Sequence, residues 1–81
     1  MTSRLAWLGL ALLAADDLPA AGAQFEAALR LDPAAVAALG NLGLIRQRQG
    51  RTADARRLFE RILAIEPGSP QAMAALASLG A

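Results

Sequence analysis

At 81 residues the chain has room for one small domain and little interior for a deep pocket. Hydrophobic residues make up 56% of it and aromatics only 4%, the excess being Ala and Leu, so helix is the expected state. Cys, His and Lys are absent, which removes disulfides, thiolate or imidazole metal ligands and most nucleophile–base pairs, and a net charge of +1 is too weak to hold a polyanion.

The pattern predicts helices near 3–15, 18–31, 34–49, 53–65 and 70–79. In the first, the run from Leu5 to Ala15 has no polar side chain on any face, and Asp16 and Asp17 follow as turn and capping residues. Pro19 falls near the start of the second helix. Asp32-Pro33 and Ser69-Pro70 each set a capping side chain before a proline at a first helical position, where the missing amide costs nothing, so they are expected to open the third and fifth helices. Gly50 can supply the left-handed residue that ends the third. Charge is uneven along the chain: Asp16, Asp17, Glu26 and Asp32 weight the first half, whereas Arg46, Arg48, Arg51, Arg56, Arg57 and Arg61 crowd the second. No aromatic side chains are interleaved with these arginines to stack bases, so they read as a solvated, charged turn and not as a nucleic-acid surface.

Sliding the sequence along itself by 34 residues pairs Leu5 with Leu39, Leu8 with Leu42, Gly9 with Gly43, Leu10 with Leu44 and Ala21 with Ala55. The same offset pairs Phe25 with Phe59, Glu26 with Glu60, Leu29 with Leu63 and Pro33 with Pro67. Self-similarity at a fixed period marks a solenoid whose units each leave an apolar face for the next to cover. Gly9, Gly43, Ala21 and Ala55 are small enough to let helices cross closely, with Leu and Phe at i, i+3 and i+4 filling the space around them.

In period and in residue order the sequence resembles the tetratricopeptide repeat family. Leu5, Leu8, Gly9, Leu12, Ala21, Phe25, Ala28 and Pro33 stand at its signature positions in a first copy, and Leu39, Leu42, Gly43, Gly50, Ala55, Phe59 and Pro67 in a second. Met73, Leu76 and Ala77 stand where a third would begin. Leu in place of early aromatics, Arg46 at a usually aromatic position and Ile62 in place of Ala depart from the pattern. The resemblance implies an all-α fold of antiparallel helix-turn-helix repeats in a right-handed superhelical solenoid: a single domain over 1–81, with repeats about 2–35 and 36–69 and a terminal helix about 70–81.

Residues 1–23 carry a second reading. Arg4, the apolar run and Ala21-Gly22-Ala23 have the layout of a secretory signal peptide and its cleavage site, although the same residues carry the first repeat's register. The chain is expected to be cytoplasmic, or exported as a remnant if that segment is cleaved. The run is too short for a membrane span, which takes about 20 apolar residues. No carboxylates have metal-loop spacing and the glycines are not gathered into a phosphate loop, so neither enzyme, cofactor nor metal is expected.

What the resemblance does imply is a non-catalytic scaffold that binds a peptide or helix, from another protein or from a second copy of itself, along the concave face lined by the first helix of each repeat. Carried over position by position, that face takes Ser3, Ala6, Leu10 and Leu13 from the first repeat with Trp7 beside them, then Gly40, Asn41, Leu44, Gln47 and Arg48 from the second, and Gln71 from the terminal helix. Leu5, Leu8 and Leu12 are expected to turn inward, so that Leu8→Glu would unfold the domain. Asn41 stands at the Asn position of the family's carboxylate clamp, but Ala6, Leu10, Gln71 and Ala75 replace the other members, so the clamp is not implied.

Overall fold

The Ala- and Leu-rich segments form helices wherever no turn residue interrupts them. A computed structural model describes residues 3–80, the side chains of Ser3, Ala6 and Ala14 excepted. It contains α1 (Ser3–Ala14), α2 (Leu18–Leu31), α3 (Val36–Arg48), α4 (Thr52–Ile65) and α5 (Pro70–Ser78), so the described chain is all-α. Each helix packs chiefly on its neighbours in sequence, α1 on α2, α2 on α3, α3 on α4 and α4 on α5, in a body of 31 × 25 × 17 Å. That nearest-neighbour order is what a repeat array produces.

The turns repeat as faithfully as the helices. After α1, Asp16 takes a left-handed conformation (φ 62°), its N–H reaching Leu13 O and the Asp17 N–H reaching Leu12 O. After α3, Gly50 (φ 77°) does the same, its N–H reaching Gln47 O and the Arg51 N–H reaching Arg46 O. Both are Schellman caps that satisfy the last carbonyls of a helix. Asp17 then caps α2, its Oδ1 accepting from the Ala20 N–H at 3.3 Å.

One capping expectation is corrected. Asp32 does not open α3; it ends α2, and its Oδ1 accepts from the Ala34 N–H at 3.2 Å across a turn. The proline that follows forces Asp32 into extended backbone, so Pro33 and Ala34 turn the chain and α3 starts at Val36 with Ala35 as an N-cap that has no side-chain bond. Glu66 and Pro67 repeat this turn, after which Ser69 caps α5 by accepting from the Ala72 N–H at 3.3 Å, as expected.

Two apolar clusters follow. Ala21, Phe25 and Ala28 of α2 meet Ala38, Leu42 and Ile45 of α3, with Leu5, Leu12 and Leu13 of α1 against them. Leu39, Ala55, Phe59, Ile62 and Ala72 form the second, joined by Leu76 of α5 and by Leu79, the residue that caps its C-terminus. In each repeat a phenylalanine ring lies on a glycine of the preceding helix. A Cβ at Gly9 would stand 2.8 Å from Phe25 Cζ, and one at Gly43 would stand 2.6 Å from Phe59 Cζ, so only glycine admits the ring. Burying each ring contributes roughly 1.5–3 kcal/mol.

The inward set of α1 differs from expectation. Leu13 packs on the first cluster, whereas Leu8 is 47% exposed although its equivalent Leu42 is 4% exposed. Leu42 is covered by α2, and among the described residues no helix lies in that relation to α1.

Candidate functional site

The first helix of each repeat presents its outward residues at matching positions. Leu10 on α1 and Leu44 on α3, equivalent under the repeat offset, are 43% and 40% exposed, and Trp7 is 74% exposed. Trp7 stands about 100° around α1 from Leu8 and lies between it and Leu10, joining the outward stripe to the exposed Leu8 side of the helix. Leu13 and Gln47, again equivalent, are partly buried, and Arg48 is exposed. Ser3 and Ala6 fall outside the described side chains.

Two predicted groove residues come together differently from the expectation. Gly40 is buried, so it presents no surface of its own. A Cβ there would lie 3.7 Å from Gln71 Nε2 and 3.8 Å from Ile62 Cδ1, so it serves as the floor over which the exposed Gln71 reaches from α5. Asn41 turns its Nδ2 to the Ala37 carbonyl at 2.9 Å, bonding its own helix.

Sequence reasoning missed the opposite side. Between α2 and α4, with α3 as its floor, lies an open groove of about 510 Å³ lined by Glu26, Leu29 and Arg30, by Leu42 and Arg46, and by Asp54, Arg57, Leu58 and Arg61. At about 100° per residue, Leu42 and Arg46 point away from Gly40, Leu44 and Gln47, so this groove and the outward stripe occupy different sides of α3. Arg46, at the usually aromatic position, pairs with Glu26 across the α2–α3 contact and donates to Gln49 Oε1 at 2.9 Å. Gly22 leaves room for it, since a Cβ there would lie 3.4 Å from Arg46 Nη1. Asp54 accepts from Arg51 at 2.7 Å and from Arg57 at 3.0 Å, while Arg61 Nη2 donates to the Pro33 carbonyl at 3.1 Å. The i, i+4 spacing of Glu26 with Arg30 and of Arg57 with Arg61, flanking the half-buried Leu29 and Leu58, was the signal available in the sequence.

Among the described residues no group of three or more carboxylates is placed to hold a metal ion, and no helix is long and apolar enough to cross a membrane. Stacked helix pairs, glycine-seated rings and outward apolar positions that recur at the 34-residue offset define an α-helical repeat solenoid. The sequence profile described as "Tetratricopeptide repeat" matches residues 7–70, and the chain belongs to that family. Repeats of this family are protein-interaction modules and are typically non-catalytic. The chain is 42% identical over 59 residues to the cellulose synthase operon protein C of Komagataeibacter xylinus, covering 73% of this chain and 4% of that one. It is 41% identical over 59 residues to the protein of the same name from Komagataeibacter sucrofermentans, with the same coverage.

Proposed function

We propose that this chain binds an apolar helix or peptide of another protein along the outward stripe of its first helices, from Trp7 and Leu10 on α1 to Leu44 on α3. The supporting observation is that Leu10 and Leu44 hold one repeat position and both stay about two-fifths exposed beside an exposed Trp7. Trp favours interface hot spots, and exposed apolar side chains grouped into a patch mark docking faces. Gln47, Arg48 and Gln71 supply polar and cationic groups toward the other end of the stripe, where an acidic residue of the partner would be met.

Photo-cross-linking in the native host, with the reactive residue placed at Leu10, Leu44 or Leu58 in turn, tests this. A partner joined from Leu10 and Leu44 but not from Leu58, whose binding Leu10→Glu with Leu44→Glu then weakens at least about tenfold, is the expected result. A partner joined only from Leu58 overturns it.

The exposure of Leu8 favours a second reading, self-association through the end face of α1, where Arg4, Leu8 and Ala11 hold the places that Ala38, Leu42 and Ile45 hold under α2. Molecular mass in solution as a function of concentration separates the two readings, because Leu8→Glu should abolish a homo-oligomer and spare binding at the outward stripe. A role beside a cellulose synthase rests on the relatives' name alone, and the chain spans 4% of their length.

A further inference from the structure

We infer that the α2–α4 groove is a second binding site, on the side away from the outward stripe, for an acidic peptide segment that seats an apolar side chain between its carboxylates. Charge complementarity carries the choice of occupant. Arg30, Arg46, Arg57 and Arg61 line the groove against Glu26 and Asp54 only. Those two carboxylates are already engaged, Glu26 by Arg46 and Asp54 by both Arg51 and Arg57. Among the described residues neither Arg30 nor Arg61 has a carboxylate within ion-pair distance. The Arg61 guanidinium is nevertheless held in place, because it donates to the Pro33 carbonyl at the α2–α3 turn, and part of the entropy of ordering a long side chain is thereby already spent. A planar, forked guanidinium with free donors is suited to bidentate carboxylate recognition.

Leu29, Leu42 and Leu58 give the groove an apolar floor, which an isolated anion would not use and an apolar side chain would. The groove, about 510 Å³, is wide open, a shape that suits a chain lying across it and not an enclosed small molecule. Nucleic acid is the weaker candidate. No aromatic ring lines the groove to stack a base, and the net charge of the chain, +1, provides no long-range field for a polyanion.

Fluorescence anisotropy of a short labelled peptide alternating Glu with Leu, against a Lys–Leu control and an oligothymidylate, tests the site on the full chain. The acidic peptide should bind, more weakly as sodium chloride is raised, and the Lys–Leu peptide should not. Arg30→Glu together with Arg61→Glu should weaken it by at least about tenfold at unchanged helicity, since two attractive charges become repulsive. Arg30 is exposed and its side chain has no ion pair among the described residues, so Arg30→Glu alone, checked for helicity by circular dichroism, should give part of the loss. The Leu10→Glu, Leu44→Glu variant should bind the acidic peptide like the parent. The inference is overturned if the parent binds neither peptide, if it binds both equally, or if oligothymidylate displaces the acidic peptide at lower concentration than the peptide itself. It is equally overturned if the arginine variants bind unchanged or the leucine variant loses binding, the last outcome placing the peptide on the outward stripe.

Discussion

α1 and α3 occupy the same place in successive repeats, and their residues pair at an offset of 34, yet they live in different surroundings. Ala38, Leu42 and Ile45 of α3 are buried under α2, while Arg4, Leu8 and Ala11, their counterparts on α1, are exposed. The glycine under the aromatic ring is retained in both, because Gly9 meets Phe25 and Gly43 meets Phe59 within a repeat. Contacts inside a repeat are therefore a property of the repeat, whereas contacts between repeats depend on which neighbour is present. A leucine that is core in one copy is surface in the other, without any change in its identity.

The comparison can be broken most directly at its extremes. Leu42→Ala should cost about 2–5 kcal/mol by removing transfer energy and leaving a cavity, whereas Leu8→Ala, already half exposed, should cost under about 1 kcal/mol. Urea unfolding followed by circular dichroism reads both; equal losses would mean that α1 is covered as α3 is. Leu8→Glu is likewise expected to stay folded, reversing what the leucine pattern alone implied.

Next in size is the glycine beneath the ring. Gly43→Leu should destabilise by roughly 1–3 kcal/mol, since even a Cβ would stand 2.6 Å from Phe59 Cζ inside a packed cluster. Gly9→Leu should lose less, because among the described residues α1 packs chiefly on α2 alone and can shift away from Phe25. A thermal midpoint for the Gly43 variant within error of the parent would mean that the ring is not seated there.

Smaller effects come from the turns. Gly50→Ala should cost about 1 kcal/mol because its φ of 77° suits a residue without Cβ, while Asp16→Gly, at φ 62° in the equivalent turn, should raise stability by up to about 1 kcal/mol. Ala35→Ser should add what Ser69 already provides at the same place in the next turn, a hydroxyl accepting from a helix N–H, for about 0.5–1 kcal/mol. Thermal melts of the three variants beside the parent decide these signs, and a destabilised Asp16→Gly would mean that the Asp16 side chain contributes more than its backbone strain costs.

Much of this architecture was legible in advance. The 34-residue pairing of Gly9 with Gly43 and Ala21 with Ala55 marks where helices cross closely, and the proline and glycine punctuation bounds five helices to within two residues, whereas the seating of each phenylalanine on its glycine appears only in the structure. The start of α3 was misplaced because an Asp-Pro pair serves equally as a helix opening and as a helix-ending turn, and only the backbone path shows which hydrogen bond Asp32 makes. Of the proposed binding face, the outward positions of Leu10, Leu44 and Trp7 followed from repeat register, but the burial of Gly40 under Gln71 did not, since it depends on how α5 settles against α3.

The amino-acid order by itself determined what recurs locally: the helices, the turns that join them and the small-to-large contacts within each repeat, all governed by neighbours a few to thirty residues away. Tertiary structure decided which of the remaining apolar helix faces are covered. It turned Leu13 inward and left Leu8 outside, and it drew Arg30, Arg46, Arg57 and Arg61 from three helices into one groove. The reason is that periodicity specifies the angle at which a side chain leaves its helix, while burial also requires a second helix at that angle, and the position of that helix is a property of the assembled stack.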